Sequence, residues 1–216
     1  MSSNRLITFW GRHVMPLLYD PFVAIGERAG MSALRGRQVA AAEGRVLELG
    51  AGTGLNLRHY RPSVQRLVLS EPEPGMAARL RRRSAGSAGA VEVVQASAEE
   101  LPFEDGAFDT VVCTLVLCTV PDPAKALSEA RRVLSDGGRL LFLEHVRADS
   151  RSLARWQDRL EPAWRAFAYG CRCNQDTLEI LERLSFRVTR AERARWRAMP
   201  PLVRPLVLGE AVAARG

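Results

Sequence analysis

Lysine is almost missing from this chain of 216 residues, where Lys125 stands alone among 31 basic side chains. Its surroundings exclude two nucleotide chemistries. Ala124 precedes it, so no phosphate-cradling loop can end in Gly-Lys, and Pro121 four residues earlier rules out a Tyr-x-x-x-Lys catalytic pair. Histidine is scarce, with three in all, and cysteine is confined to Cys113, Cys118, Cys171 and Cys173. No early apolar run with a small-residue cleavage site marks a secretory signal, so a reducing, cytoplasmic home is expected. Long hydrophobic runs are missing too. The longest near-apolar stretch, Thr110 to Val120, is too short to span a bilayer and reads as a buried strand. Stable membrane insertion is therefore not expected, although Leu6, Trp10 and Val14 recur at helical spacing with Arg5, Arg12 and His13 between them, a pattern suited to a lid helix or to peripheral contact with a membrane.

The formal net charge is +7, and its location limits its meaning. Residues 45 to 144 carry twelve basic against thirteen acidic side chains, whereas residues 145 to 216 carry fourteen against eight. The excess thus avoids the glycine-rich region, which is not the layout of a nucleic-acid-binding core. A hydrophobic share of 47% over this length suits one domain with a core on both sides of a sheet.

What is present is a strand that ends in closely spaced glycines: VLELGAGTG, from Val46 to Gly54. Glycine at a strand-to-helix turn lets the backbone approach a ligand where any side chain would collide with it. A dinucleotide fingerprint needs a third small residue five positions after its first glycine, and that position is Leu55. Here the glycines fall at Gly50, Gly52 and Gly54, with acidic Glu48 inside the strand. Glu71, at the end of the next strand, suits two ribose hydroxyls, which does not by itself distinguish a dinucleotide from another ribose-bearing cofactor.

Apolar strands alternate with helices from Arg45 onward: 45–50, 66–71, 91–96, 108–116, 139–146 and 186–192. In DPAKALSEARRVL, Asp122 caps the first turn, Pro123 takes the first helical position, Leu127, Ala130 and Leu134 share a face, and Asp136-Gly137-Gly138 is expected to end the helix. Strands of this kind require a parallel sheet covered on both faces, and ligands of such sheets lie at the strand C-terminal ends. The loops after Gly50, Glu71, Ala96, Cys113 and Glu144 are therefore expected to line the site.

ELGAGTG, the SEP turn, ASAEELPF, FDTVVCTLVLCTVPDP and DGGRLLFLEH occur in the order found in class I S-adenosylmethionine (SAM)-dependent methyltransferases. The chain resembles that family over roughly residues 45 to 145. VVCTLVLCTV, LEHVRA, WQDRLEPAW and GCRCNQDT extend the likeness toward the small-molecule thiol S-methyltransferase branch. The resemblance implies an α/β, Rossmann-like fold with a mostly parallel seven-stranded sheet and helices on both faces. It implies one domain over 1–216, made of N-terminal lid helices (1–44), a SAM-binding core (45–146), a substrate-pocket insertion (147–185) and C-terminal strands (186–216). It also implies SAM as cofactor and S-adenosylhomocysteine as product. The implied cofactor site comprises Glu48, Gly50, Ala51, Gly52, Thr53, Gly54, Glu71, Pro72, Met76, Ser97, Ala98, Glu99 and Cys113. Within it, Glu71 takes the ribose, Met76 packs on the adenine and Cys113 lies beneath the methionine part.

On the substrate side the resemblance points to Trp156, Trp164, Tyr169, Cys171 and Asn174 as pocket residues, and to His145 and Glu144 as candidate catalytic groups. Leu153, Trp156, Leu160, Trp164 and Phe167 recur at helical spacing, with Pro162 expected to kink the segment. The sulfonium already activates the methyl group, so the protein has to align a nucleophile and exclude water, and no metal is required. A zinc site built on Cys171 and Cys173 would need two further ligands from Cys113, Cys118 and the three histidines, and none is expected. A thiol of pKa about 8.5 is a few per cent ionised at neutral pH, which makes a strong general base optional for S-methylation. The expected partner is a small apolar thiol and not a nucleic acid. Quinone or lipid C-, N- or O-methylation and a non-catalytic SAM-binding module are the alternatives.

Overall fold

The structure is a computed structural model that describes residues 15–87 and 91–213. The expected N-terminal helix over Leu6, Trp10 and Val14 lies outside the described residues. Strand β1 (Gly44–Leu49) shows why the sheet forms. Leu47 and Leu49 enter one core with Phe108, Leu127, Leu140 and Phe142, while Val46 enters another with Val39, Leu69, Leu80 and Leu141. Alternate side chains thus bury into opposite apolar layers, as a strand covered on both faces requires.

Six more strands follow: β2 (Val64–Ser70), β3 (Val91–Val94), β4 (Phe108–Thr114), β5 (Leu134–His145), β6 (Phe186–Arg195) and β7 (Pro205–Ala213). They form one seven-stranded sheet in the order β3-β2-β1-β4-β5-β7-β6. β1 pairs in parallel with β2 and β4, and β7 runs antiparallel to β5 and β6. This is the Rossmann-like, mostly parallel seven-stranded sheet that the resemblance implies. The order reverses direction at β1, so the crevice beyond the C-terminal ends of β1, β2 and β4 is the topological switch point where α/β sheets bind ligands.

Helix α1 (Met15–Gly26), a π-helical turn (Glu27–Met31) and α2 (Ser32–Val39) precede the sheet. They are knitted into the core more firmly than a free lid would be. Buried Arg35 pairs with Glu27 at 2.9 Å and donates to Asn56 at 3.1 Å, and Gln38 donates to the Gly209 carbonyl of β7. Helix α3 (Pro74–Ser84) follows β2. Helix α4 (Pro123–Val133) starts as the sequence predicts, with Asp122 accepting from the N–H groups of Ala124 and Lys125 at 3.0 Å each. It stops at Val133, short of the expected Asp136-Gly137-Gly138 terminus, because Leu134 already pairs with Phe108 as the first residue of β5.

Helix α5 (Arg151–Phe167) continues through Pro162 as one helix, and α6 (Thr177–Arg183) precedes β6. The buried face of α5 is Ala154 and Gln157, not its aromatic stripe. Gln157 donates to the carbonyls of Cys173 and Leu202 and accepts from the N–H of Ala148, which fastens the helix to three loops. Among the described residues no helix is long and apolar enough to cross a membrane.

Candidate active site

The glycine turn after β1 takes the left-handed backbone that its composition allows, with φ of 54° at Gly50, 58° at Gly52 and 84° at Gly54. The three glycines serve different purposes. A Cβ at Gly54 would lie 2.7 Å from Leu80 and 2.8 Å from Leu57, and one at Gly50 would lie 2.9 Å from Val116, so these two permit internal packing. A Cβ at Gly52 would meet only the Gly50 carbonyl at 4.0 Å and otherwise point into open space. That is the space a ligand resting on the backbone would use.

Glu71 closes the other side. Its carboxylate accepts the N–H of Gly52 at 2.8 Å and of Glu73 at 2.9 Å, and burial raises its pKa despite those bonds. Pro72 is exposed, and Met76 is half-buried on α3 just beyond it. Ser97 donates to Glu99 at 2.9 Å, and Glu99 accepts the N–H of Asp122 at 2.6 Å, so these two residues fix the loop after β3 against the start of α4. Ala98 and Cys113 are core residues with 3% and 0% exposure.

Two of the expected cofactor residues turn inward. Glu48 is buried with its oxygens held by Asn56 at 3.0 Å and Tyr60 at 2.7 Å, and desolvation lifts its pKa to about 7. Thr53 donates to Asp20 of α1 at 2.5 Å, and Asp20 also pairs with Arg83 at 2.6 Å, which pins α1 over the glycine turn. Ala51 is buried, its N–H bonded to the Ser70 carbonyl at 2.9 Å.

On the substrate side, the end of β5 organises the loop that follows β4. Glu144, with no exposed surface, accepts the N–H groups of Val116 at 2.9 Å, Leu117 at 3.1 Å and Cys118 at 3.4 Å. Burial pushes its pKa up to about 7 against those bonds. The carboxylate is engaged in shaping the loop, which makes Glu144 a positioning residue. His145 stacks on Trp196 with ring centroids 5.4 Å apart, and desolvation lowers its pKa to about 4, so the ring is neutral. Its Nδ1 is buried and has no hydrogen-bond partner among the described residues.

The sequence sets Cys171 beside Cys173, but the fold sets it against Cys118, with 3.9 Å between the sulfurs. Tyr169 holds a positive φ of 49° and donates to Glu73 at 2.6 Å, which ties the segment before Cys171 to the loop after β2. Trp164 packs in the cluster that contains Val23, Leu143, Cys173 and Trp196. Two expected pocket residues are not enclosed by this cluster. Trp156 is 57% exposed because α5 buries its Gln157 face instead. Asn174 is half-buried and donates to Asp158 at 3.0 Å in an exposed network with Arg147.

A methyltransferase domain family matches residues 47–142. Human thiol S-methyltransferase TMT1B is 37% identical over 194 residues, covering 86% of this chain and 78% of that protein. The chain belongs to the class I SAM-dependent methyltransferases. A demethylmenaquinone methyltransferase from Clavibacter sepedonicus is 41% identical over 109 residues, covering 50% of this chain and 44% of its own. The solved structure of a SAM-dependent methyltransferase from Thermotoga maritima superposes with a TM-score of 0.71 at 23% identity, covering 96% of this chain and 99% of that one, which agrees with the fold.

SAM is the cofactor of this methyltransferase, and the residues fit it. The open cradle over Gly52 accepts a ligand against the backbone, and the buried Glu71 carboxylate supplies an acceptor for hydroxyl donors beside it. Sequence reasoning missed the buried polar residues that shape the site, among them Arg35, Asn56 and Gln157. No local pattern singles them out, because their partners are 8 to 58 residues away in the chain.

Proposed function

We propose that this methyltransferase acts on the sulfur of a small, largely apolar thiol. The observation that carries the reading is the reach of its likeness to TMT1B, which covers 86% of the chain where the quinone methyltransferase covers 50%. The chemistry is consistent with it. SAM supplies a methyl group on a positively charged sulfur, and the chain's own residues have to hold and shield the acceptor. Glu71 and the Gly50–Gly54 turn would hold the cofactor, and the loop from Val116 to Cys118, fixed by Glu144, would form the floor beside it. His145, whose ring is neutral, is buried together with Cys118 and Cys171 beside that loop, away from bulk water. The proposed setting is cytoplasmic, with a thiol metabolite as partner.

Methylation of a quinone or lipid is the second reading, favoured by the likeness to the Clavibacter protein. The test is incubation with methyl-labelled SAM and a range of alkyl and aryl thiols. Formation of labelled thioether together with an equal amount of S-adenosylhomocysteine is expected. No thioether from any thiol, with SAM binding intact, would contradict the proposal.

A further inference from the structure

Cys118, His145 and Cys171 come from three separate segments: the loop after β4, the last position of β5 and the loop after α5. The fold brings one sulfur or nitrogen atom of each to within 4.8 Å of the others, and all three side chains are buried. We infer that these three residues bind a soft divalent cation, zinc in the first place, whose fourth position takes the sulfur of the substrate thiol. The inference rests on the thiol reading for its last clause alone.

The spacing suits a metal. Zinc bound tetrahedrally to two thiolates at about 2.3 Å sets the sulfurs about 3.8 Å apart, and the Cys118 and Cys171 sulfurs stand at 3.9 Å. A buried imidazole nitrogen without a partner is costly unless something occupies it, and His145 Nδ1 is such an atom among the described residues. The ring is stacked on Trp196, with centroids 5.4 Å apart, which fixes its plane. Its neutral state is the one that ligates. Three protein ligands and one open position are the pattern of catalytic zinc, whereas structural zinc closes all four.

The surroundings place the cluster near the glycine turn. Cys118 lies two residues after Val116, whose side chain packs against Gly50, and Cys171 lies two residues after Tyr169, which bonds to Glu73. Both sulfurs are thereby anchored to loops that border the cofactor turn. Three N–H bonds to Glu144 hold Cys118 and the two residues before it.

Metal binding displaces the thiol protons of Cys118 and Cys171 to solvent, and binding of the substrate displaces a third. The metal-bound substrate sulfur then supplies the electron pair for a new bond to the methyl carbon. The bond from that carbon to the donor's sulfonium breaks with its pair staying on the donor sulfur. No oxidant or reductant is involved. The thioether produced carries no charge and is a weaker ligand than the thiolate, which favours its release.

The experiment uses the full chain, purified under reducing conditions and stripped of metal. Zinc is measured by elemental mass spectrometry after reloading, and cobalt(II) is titrated as an optical probe. One zinc per chain is expected, together with thiolate-to-cobalt charge-transfer bands and the intense visible bands of tetrahedral cobalt. Cys118→Ser, Cys171→Ser and His145→Ala should each weaken zinc binding by about a hundredfold or more, with S-adenosylhomocysteine binding by calorimetry as the check on folding. Cys173→Ser should keep the zinc stoichiometry. Addition of an alkyl thiol should shift the cobalt bands with no SAM present.

Failure to bind either metal overturns the inference, as does binding that none of the three substitutions weakens. Cobalt bands unmoved by thiol overturn the assignment of the fourth position, and an undiminished rate of thiol methylation by metal-free protein does the same while leaving the thiol reading standing. Methylation confined to nitrogen, oxygen or carbon would overturn the thiol reading, and the zinc stoichiometry and its loss in the variants would be unaffected.

Discussion

Glu144, near the C-terminal end of β5, accepts the backbone N–H of Val116 at 2.9 Å, and so suspends the loop after β4 from the neighbouring strand. Leu117 donates to the same oxygen at 3.1 Å and Cys118 to the other at 3.4 Å. Glu144→Ala leaves these buried donors without an acceptor and should cost about 2–4 kcal/mol of stability. Glu144→Gln keeps the oxygen that serves Val116 and Leu117 but turns an amide toward the Cys118 N–H, so it should cost less. Urea midpoints of the two variants check the order, and equal midpoints would contradict the positioning role.

The glycine turn allows binding and packing to be separated. Gly52→Ala forces a Cβ at φ 58° into open space, which should cost about 1–2 kcal/mol of stability and obstruct SAM. Gly54→Ala drives a Cβ against Leu80 and Leu57 and should destabilise by about 1–3 kcal/mol beyond the backbone strain. Thermal unfolding and calorimetric titration with SAM on both variants should therefore rank them in opposite orders.

Removal of the Glu71 carboxylate tests the ribose side. Glu71→Ala loses charge-assisted hydrogen bonds worth about 1.5–3 kcal/mol, so SAM should bind roughly ten- to a hundredfold more weakly. The carboxylate also holds the N–H of Gly52, so Glu71→Gln should fall between wild type and alanine. Unchanged affinity in folded Glu71→Ala would place the cofactor elsewhere.

His145 makes stability depend on pH in a definite sense. Its folded pKa of about 4 lies below the unfolded value of 6.5, because burial disfavours the charged ring. Its contribution is therefore present above pH 6.5 and is lost as pH falls toward 4, by about 3 kcal/mol in all. Glu144 acts in the opposite sense: its pKa, raised from 4.5 to about 7, gives a contribution present below 4.5 that is lost as pH rises through 7. The difference between metal-free wild type and His145→Phe, which keeps the stacking on Trp196, isolates the histidine. That difference should change between pH 6.5 and 4 and be flat above 7.

Much of this architecture is legible in the residues themselves. The strand from Arg45, the cap at Asp122 and the special backbone of the glycines are set by local periodicity and turn chemistry, which the fold then obeys. β7 is harder to see, since Pro205 opens it and Gly209 interrupts its apolar run, although a Cβ at Gly209 would collide with the Arg190 carbonyl and Phe142. Helical periodicity groups Trp156, Leu160 and Phe167 on one side of α5 but cannot say which side meets the protein. That choice is made by Gln157, whose hydrogen bonds need loops far away in the chain. The cluster of Cys118, His145 and Cys171 is hidden for the same reason: its members lie 26 or more residues apart, and the adjacent Cys171–Cys173 pair draws attention first.

The account's central claim is that methyl transfer goes to sulfur, and a competition in one vessel tests it most directly. A thiol, an amine and a phenol matched in size and apolar surface are supplied at equal concentration with methyl-labelled SAM, and the labelled products are identified by mass spectrometry. The thioether should dominate from the earliest time points. Preferential labelling of nitrogen, oxygen or carbon would contradict the claim.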